Sequence, residues 1–216
     1  VFPYTMLFHS TAAVLIGSLE PFSVDFEDLK SRLAQTKVSK GLSTVGLSQP
    51  LVFMSELALT DGGVRKFSDG AIINTDDNLH LEFSSPLAVG EYAYAEAILK
   101  EIYEIGPGQS PLAGSEEEKA SLANLQNLKR ATIAIETELR SNQPGRIAPA
   151  ERRLRKITAN APNYLPAVFL LSDHLMLQSD NLLRNGRLQP ATIAAQEAVA
   201  LMPRNAEARL ILASVL

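Results

Sequence analysis

The chain confines its clearest β-prone residues to one end. Val1, Phe2, Tyr4, Met6, Leu7 and Phe8 form one run, and His9-Ser10-Thr11 offers a turn. Ala13, Val14, Leu15 and Ile16 form a second run that stops at Gly17-Ser18. Two short apolar runs around polar turn residues predict a hairpin or an adjacent strand pair. A lone two-stranded hairpin is marginal in water, and no other segment offers clear strand partners, so the pair is expected to belong to a larger sheet. The chain opens on Val1 and closes on an amphipathic stretch, Ala206 to Leu216, without a C-cap. It therefore reads as the interior or C-terminal part of a longer protein.

From Glu20 to Phe83, short helical stretches alternate with Gly and Pro. Asp25 is placed to cap a helix with Phe26, Leu29 and Leu33 on one face, and Glu27 and Asp28 suit its first turn. Gly41 and Gly46 bracket a short segment. Pro50 opens an expected buried helix carrying Leu51, Phe53, Met54, Leu57 and Leu59, which ends at Asp61-Gly62-Gly63. After Pro86 a three-to-four-residue apolar period takes over. Tyr92, Ala95, Ile98, Leu99 and Ile102 make one helix, ending near Gly106-Pro107. Residues 106–114 read as a linker. Ser115 and Glu118 then form a capping box for a helix carrying Leu122, Leu125, Leu128, Ile133 and Ile135 as far as Asn142. The expected fold class is mainly α with a small β element.

Charge and composition narrow the function. Of 216 residues, 46% are hydrophobic and 20% charged, which allows a sizeable core. A net charge of −4 argues against a nucleic-acid footprint over the chain. The one basic cluster, Glu151-Arg152-Arg153-Leu154-Arg155-Lys156, has no interleaved aromatics for base stacking. Its cations fall mainly opposite the apolar face of Ala150, Leu154 and Ile157, and Glu151 pairs with Arg155 four residues on. No apolar run reaches the roughly 18 residues of a membrane span, and no basic-then-apolar leader is present. The absence of cysteine excludes disulfides and thiol chemistry, and a cytoplasmic location is expected. His9, His80 and His174 lack metal-binding spacing, so no metal site is expected. His9 and His174 are expected to be ordinary surface or interface residues. No Gly-x-Ser-x-Gly elbow supports a hydrolase triad.

The segment from Gly70 to Phe83 has the most distinctive local chemistry. Asn74-Thr75-Asp76-Asp77, followed by Leu81-Glu82-Phe83 and Pro86, resembles the C-terminal signature of bacterial spermidine synthase-like proteins. Val14-Leu15-Ile16-Gly17-Ser18, an acidic helix and Gly46-Leu47 before Pro50 are similar to the same family's tail. The resemblance covers residues 1–86. It implies that the opening strands are the last strands of a methyltransferase-like Rossmann sheet. It also implies a parent that transfers an aminopropyl group from decarboxylated S-adenosylmethionine to a diamine, with a transporter-like region upstream anchoring it to the inner membrane. In that family the glycine-rich nucleotide loop, the ribose-binding acid and the catalytic aspartate lie earlier in the fold. None is matched here: Ile105-Gly106-Pro107-Gly108 follows a helix rather than a strand. The chain alone is therefore expected to be inactive, with no catalytic residue and no cofactor of its own. Asn74, Thr75, Asp76, Asp77 and Glu82 are the candidate substrate-binding residues, because paired carboxylates attract an ammonium group. An Asx-type turn is the competing use of Asn74 and the two aspartates.

Two later stretches are alike. Ala150, Leu154, Ile157 and Pro162, followed by Leu171-Ser172, parallel Ala191, Ala195, Ala198 and Pro203, followed by Leu212-Ala213. This resembles tetratricopeptide repeats, in which small residues mark helix crossings and a proline follows the second helix. The prolines stand 41 residues apart against a unit of 34, which places about seven extra residues around Gln178–Asn185. The expected organisation is a synthase-like portion over 1–86, connecting helices and a linker over 87–146, and incomplete helical repeats over 147–216. Expected partners are the remainder of the parent domain and a protein or peptide on the repeats. The apolar face of 206–216 is expected to promote self-association.

Overall fold

The computed structural model describes residues 2–9, 13–71, 92–141 and 143–216. It is mainly helical with a small amount of strand, and it divides into two compact units, Val1–Gln126 and Asn127–Leu216. The division falls inside a helix, and residues 87–146, read above as a connecting region, are shared between the units.

In the first unit, β1 (Tyr4–His9) pairs antiparallel with β2 (Ala13–Ser18) in the register Tyr4↔Ser18 to His9↔Ala13. The hairpin is thus present, but β1 also has a neighbour that the sequence reading missed. The chain leaves α3 (Pro50–Ser55) and forms β4 (Leu57–Leu59), which pairs antiparallel with the other edge of β1. The expected helix through Leu59 is therefore corrected: Glu56 ends α3, and strand pairing takes the next three residues. Leu57 and Leu59 fit a strand period as well as a helical one, and the open edge of β1 decides between them. A short helix, α4 (Asp61–Phe67), then starts at Asp61-Gly62-Gly63 instead of a stop. Gly63 has a local reason: a Cβ there would stand 3.1 Å from Leu59 and 3.2 Å from the Gly106 carbonyl oxygen.

The linker adds a second small sheet. Within it, β5 (Leu112–Ala113) lies parallel to β3 (Val24–Asp25), and the Val24 N–H donates to the Pro111 carbonyl at 2.9 Å. Asp25 caps α1 (Phe26–Ala34) by accepting from the Asp28 N–H at 2.8 Å, as its position predicts. Next, α2 (Thr36–Ser43) absorbs Gly41 and is followed by Gly46 at φ 75°. The strands β1 and β4 are packed on both faces. Met6, Met54, Leu57, Leu112 and Leu122 make one buried cluster, with Phe26 and Leu29 against it. Ala58, Leu59 and Ile102, the last from α5 (Tyr92–Ile105), make another.

The capping box forms in full at the start of α6 (Glu116–Arg140). The Glu118 N–H donates to Ser115 Oγ at 3.2 Å, and the Ser115 N–H donates to Glu118 Oε2 at 2.6 Å. Ser115→Ala removes one of these reciprocal bonds. It is expected to cost about 1 kcal/mol, seen as a lower urea midpoint for the unit that unfolds with the first turn of α6.

The second unit stacks α7 (Pro144–Asn160), α8 (Leu165–Arg184), α9 (Leu188–Leu201) and α10 (Ala206–Val215), with α8 touching the other three. Ala150, Leu154, Leu171, Ser172, Ala191, Ala195 and Ala198 are all buried, Ile157 and Leu212 partly so, while Pro162 and Pro203 sit exposed in the turns. Ala213 is exposed, because α10 turns Ala208, Ile211, Leu212 and Val215 inward and Ala213 lies off that face. Much of the face expected to drive self-association is therefore occupied: Ile211, Leu212 and Val215 pack with Ala191 and Ala195. Residues 178–184 belong to α8, which runs to Arg184 before Gly186 turns at φ 71°.

Candidate functional site

Asn74, Thr75, Asp76, Asp77 and Glu82, together with His80, lie outside the described residues. The polar chemistry that the structure does describe sits elsewhere.

In the first unit, His9 is drawn inward. Its Nδ1 lies 3.0 Å from the Tyr103 hydroxyl, the rings meet edge to face at 5.9 Å, and its N–H donates to the Glu56 carbonyl at 2.9 Å. Of the two expected settings, surface or interface, His9 takes the second: it is half-buried against Tyr103. Pairing of β1 with β4 pulls His9 under α5, and no local sequence signal links residues 94 apart.

In the second unit the close packing of α8 and α9 is set by small residues. Ala191, Ala195 and Ala198 present no side chain beyond Cβ, so α9 approaches α8 closely enough for hydroxyls to reach across. Ser179 Oγ donates to the Ala191 carbonyl at 2.8 Å and Ser172 Oγ to the Ala198 carbonyl at 3.3 Å. Both serines are buried, and their bonds replace the water they lose.

Beside this seam lies a charged network. Arg155 on α7 donates from Nε to Glu151, four residues back, at 2.8 Å, and reaches α9, where both of its terminal nitrogens donate to Glu197, one at 3.0 Å. A planar guanidinium suits this fork-like pairing. His174 on α8 completes the set, with Nε2 3.3 Å from Glu151 Oε2. It is largely buried and tied to Glu151. Burial opposes the charge on Glu151, yet hydrogen bonds from Arg155 and His174 outweigh it and hold its carboxyl below the ordinary 4.5. The bond to Glu197, followed by that to Glu151, raises Arg155 against the cost of burial and keeps it charged.

A groove of about 330 Å³ opens between α7, α8 and α9, with the Arg155–Glu197 pair on one side and Leu182, Pro190, Ile193 and Ala194 along it. Ile193 is 58% exposed. Arg152, Arg153 and Lys156 lie on the solvated face, as the helical spacing requires, and Arg153 pairs with Glu138 on α6. Among the described residues no cluster of His, Asp and Glu could hold a metal ion, and no helix is long and apolar enough to cross a membrane. No protein-family model matches the chain, and neither a curated protein nor a solved structure does.

The carboxyls of this unit respond to pH in opposite directions. Glu151 is depressed, so the unfolded chain binds more protons between its two pKa values. Its stabilising share is complete above about 4.5 and is lost as pH falls through the lower, folded value. Asp173 on α8 is raised, first by partial burial, then by Glu207 and Glu136, with Arg140 opposing. The folded chain holds that proton longer, so Asp173 costs stability as pH rises past its ordinary 3.8. Asp173→Asn is expected to stabilise the unit at pH 7 by about 0.5 kcal/mol, the scale of a partly exposed charge contact. The gain should vanish near pH 3 in urea titrations.

Proposed function

We propose that this chain is the distal part of a spermidine synthase-like enzyme, joined to a tetratricopeptide-like helical module that docks a protein partner. The outer edge of β2 supports the enzyme half. Ala13, Val14, Leu15, Ile16 and Gly17 are all exposed, the strand carries no charge, and its outer edge has no strand partner among the described residues. An uncharged apolar strand with an open edge calls for another strand. In this proposal a strand of the catalytic region supplies it and continues a Rossmann-like sheet.

The chemistry belongs to the parent. A neutral diamine nitrogen attacks the methylene next to the sulfonium of decarboxylated S-adenosylmethionine. The C–N bond forms, the C–S bond breaks with its electron pair staying on sulfur, and an acid outside this chain accepts the amine proton. Asn74 to Asp77 and Glu82 would border the cationic substrate. No metal enters, and the parent would work at the cytoplasmic side of a membrane that an upstream region spans.

The test is to express the same reading frame with about 200 further upstream residues, the length of one more domain, and to assay aminopropyl transfer. Turnover by the long form, and none by residues 1–216, is the expected result. An inactive long form that binds decarboxylated S-adenosylmethionine no better than buffer overturns the enzyme half.

The groove between α7, α8 and α9 favours a second reading, a non-catalytic scaffold. Ile193 beside a partly buried ion pair has the mixed character of a docking surface. If this reading is right, Ile193→Glu loses a partner recovered by cross-linking while the helices keep their circular dichroism.

A further inference from the structure

A larger cleft, of about 670 Å³, opens within the first unit and plays no part in the reading above. Its volume falls in the range of small-molecule sites, roughly 300–1,000 Å³. Tyr4, Met6 and Phe22 give it an apolar side, and Asp61, Lys66 and Ser110 supply polar groups.

Its walls are held in place before any ligand arrives. Thr60 Oγ1 donates to the Pro107 carbonyl at 2.6 Å, tying the 106–111 turn to the start of α4. Gly106 and Gly108 take φ of 70° and 62°, values that favour glycine in that turn. Ser110 Oγ accepts from the Leu112 N–H at 3.2 Å, so its own proton stays available.

The charges are unequal in availability. Asp61 is engaged by Arg65 Nε at 3.1 Å. Lys66 is exposed on the cleft, and its Nζ makes no ion pair or hydrogen bond among the described residues. Gly62 adds an independent observation. It lines the cleft, its φ is not positive, and a Cβ built on it meets nothing within 4 Å. Neither backbone nor packing requires glycine there, and glycine within a helix costs about 1 kcal/mol relative to alanine. A larger side chain at this lining position has room to form.

We propose that this cleft binds a small amphiphilic monoanion. Its planar or alkyl body lies against Tyr4, Met6 and Phe22, and its anionic group takes Lys66 Nζ, with the Ser110 hydroxyl as a second donor. Lys66 is the one cation that the described residues leave unpaired on the cleft, and it suits a single negative charge better than a polyphosphate. The proposal stands whether or not the parent is a synthase.

The probes are 2-naphthoate and its uncharged counterpart 2-naphthamide, titrated calorimetrically into the full chain. Naphthoate should bind about five-fold more tightly, the scale of one partly exposed charged contact. Lys66→Gln should abolish that preference and leave naphthamide unchanged. Gly62→Leu should weaken both probes about ten-fold or more while thermal stability holds or rises, because leucine is the better helix former. Any one of three results overturns the proposal: no saturable binding by the unaltered chain, a preference that survives Lys66→Gln, or Gly62→Leu binding both probes as before.

Discussion

Leu59→Ala is expected to cost the first unit about 2–5 kcal/mol, the range for deleting a buried leucine side chain that leaves a cavity. Leu59 is fully buried at the end of β4, packs with Ala58 and Ile102, and is the residue that Gly63 approaches most closely. The pairing of β4 with β1 limits how far the backbone can collapse into the space. The matched control is Leu15→Ala on β2, where the side chain is 62% exposed. That change should move stability by less than about 0.5 kcal/mol, since surface substitutions rarely exceed it. Urea unfolding followed at both tyrosine and helix signals would separate the outcomes. Equal losses from the two substitutions would mean that β2 is covered in solution.

The second large effect is expected from the opposite error, too much volume. Ala195→Leu forces three extra carbons into a helix contact with no exposed surface, and overpacking of this kind costs about 1–3 kcal/mol or more. Separation of α8 from α9 would also stretch the Ser179 and Ser172 bonds to the α9 carbonyls. Ser179→Ala alone should cost only about 1 kcal/mol, because it removes one neutral hydrogen bond. If both changes cost the same, the close approach of the helices contributes nothing beyond its hydroxyl contacts. Hydrogen exchange in α9 would report the loosening directly, as faster exchange from Ala191 to Ala198.

These expectations also show which parts of the architecture were readable in the residues. The starts of α1 and α6 followed from caps and apolar spacing, because both are local: Asp25 and Ser115 act within three residues of themselves. The small-residue seam was legible for the same reason, as Ala191, Ala195 and Ala198 recur at helical spacing. Leu57 to Leu59 was misread because three residues carry too little period to separate helix from strand, and the deciding contact lies about fifty residues away in β1. The link between Arg155 and Glu197 spans 42 positions, and the cleft beside Lys66 joins segments from Tyr4 to Pro111. Such groups meet only after the chain has folded, so spacing along the sequence says nothing of them. Those from Asn74 to Glu82 stay where the sequence reading left them, as expectations.

The pairing of Val24 with Leu112, and the cluster that joins Met6 to Leu122, have a consequence for synthesis. A ribosome delivers the chain in order, so β1 waits about fifty residues for Met54 and Leu57 and more than a hundred for the last of its core neighbours, Leu112 and Leu122. During that interval its hydrophobic surface and that of β2 are free for a chaperone, or for a neighbouring nascent chain. The second unit faces no comparable delay, since each helix from α7 onward packs against one made moments before. Low contact order favours rapid closure there, and translation speed should therefore govern the yield of the first unit far more than that of the second.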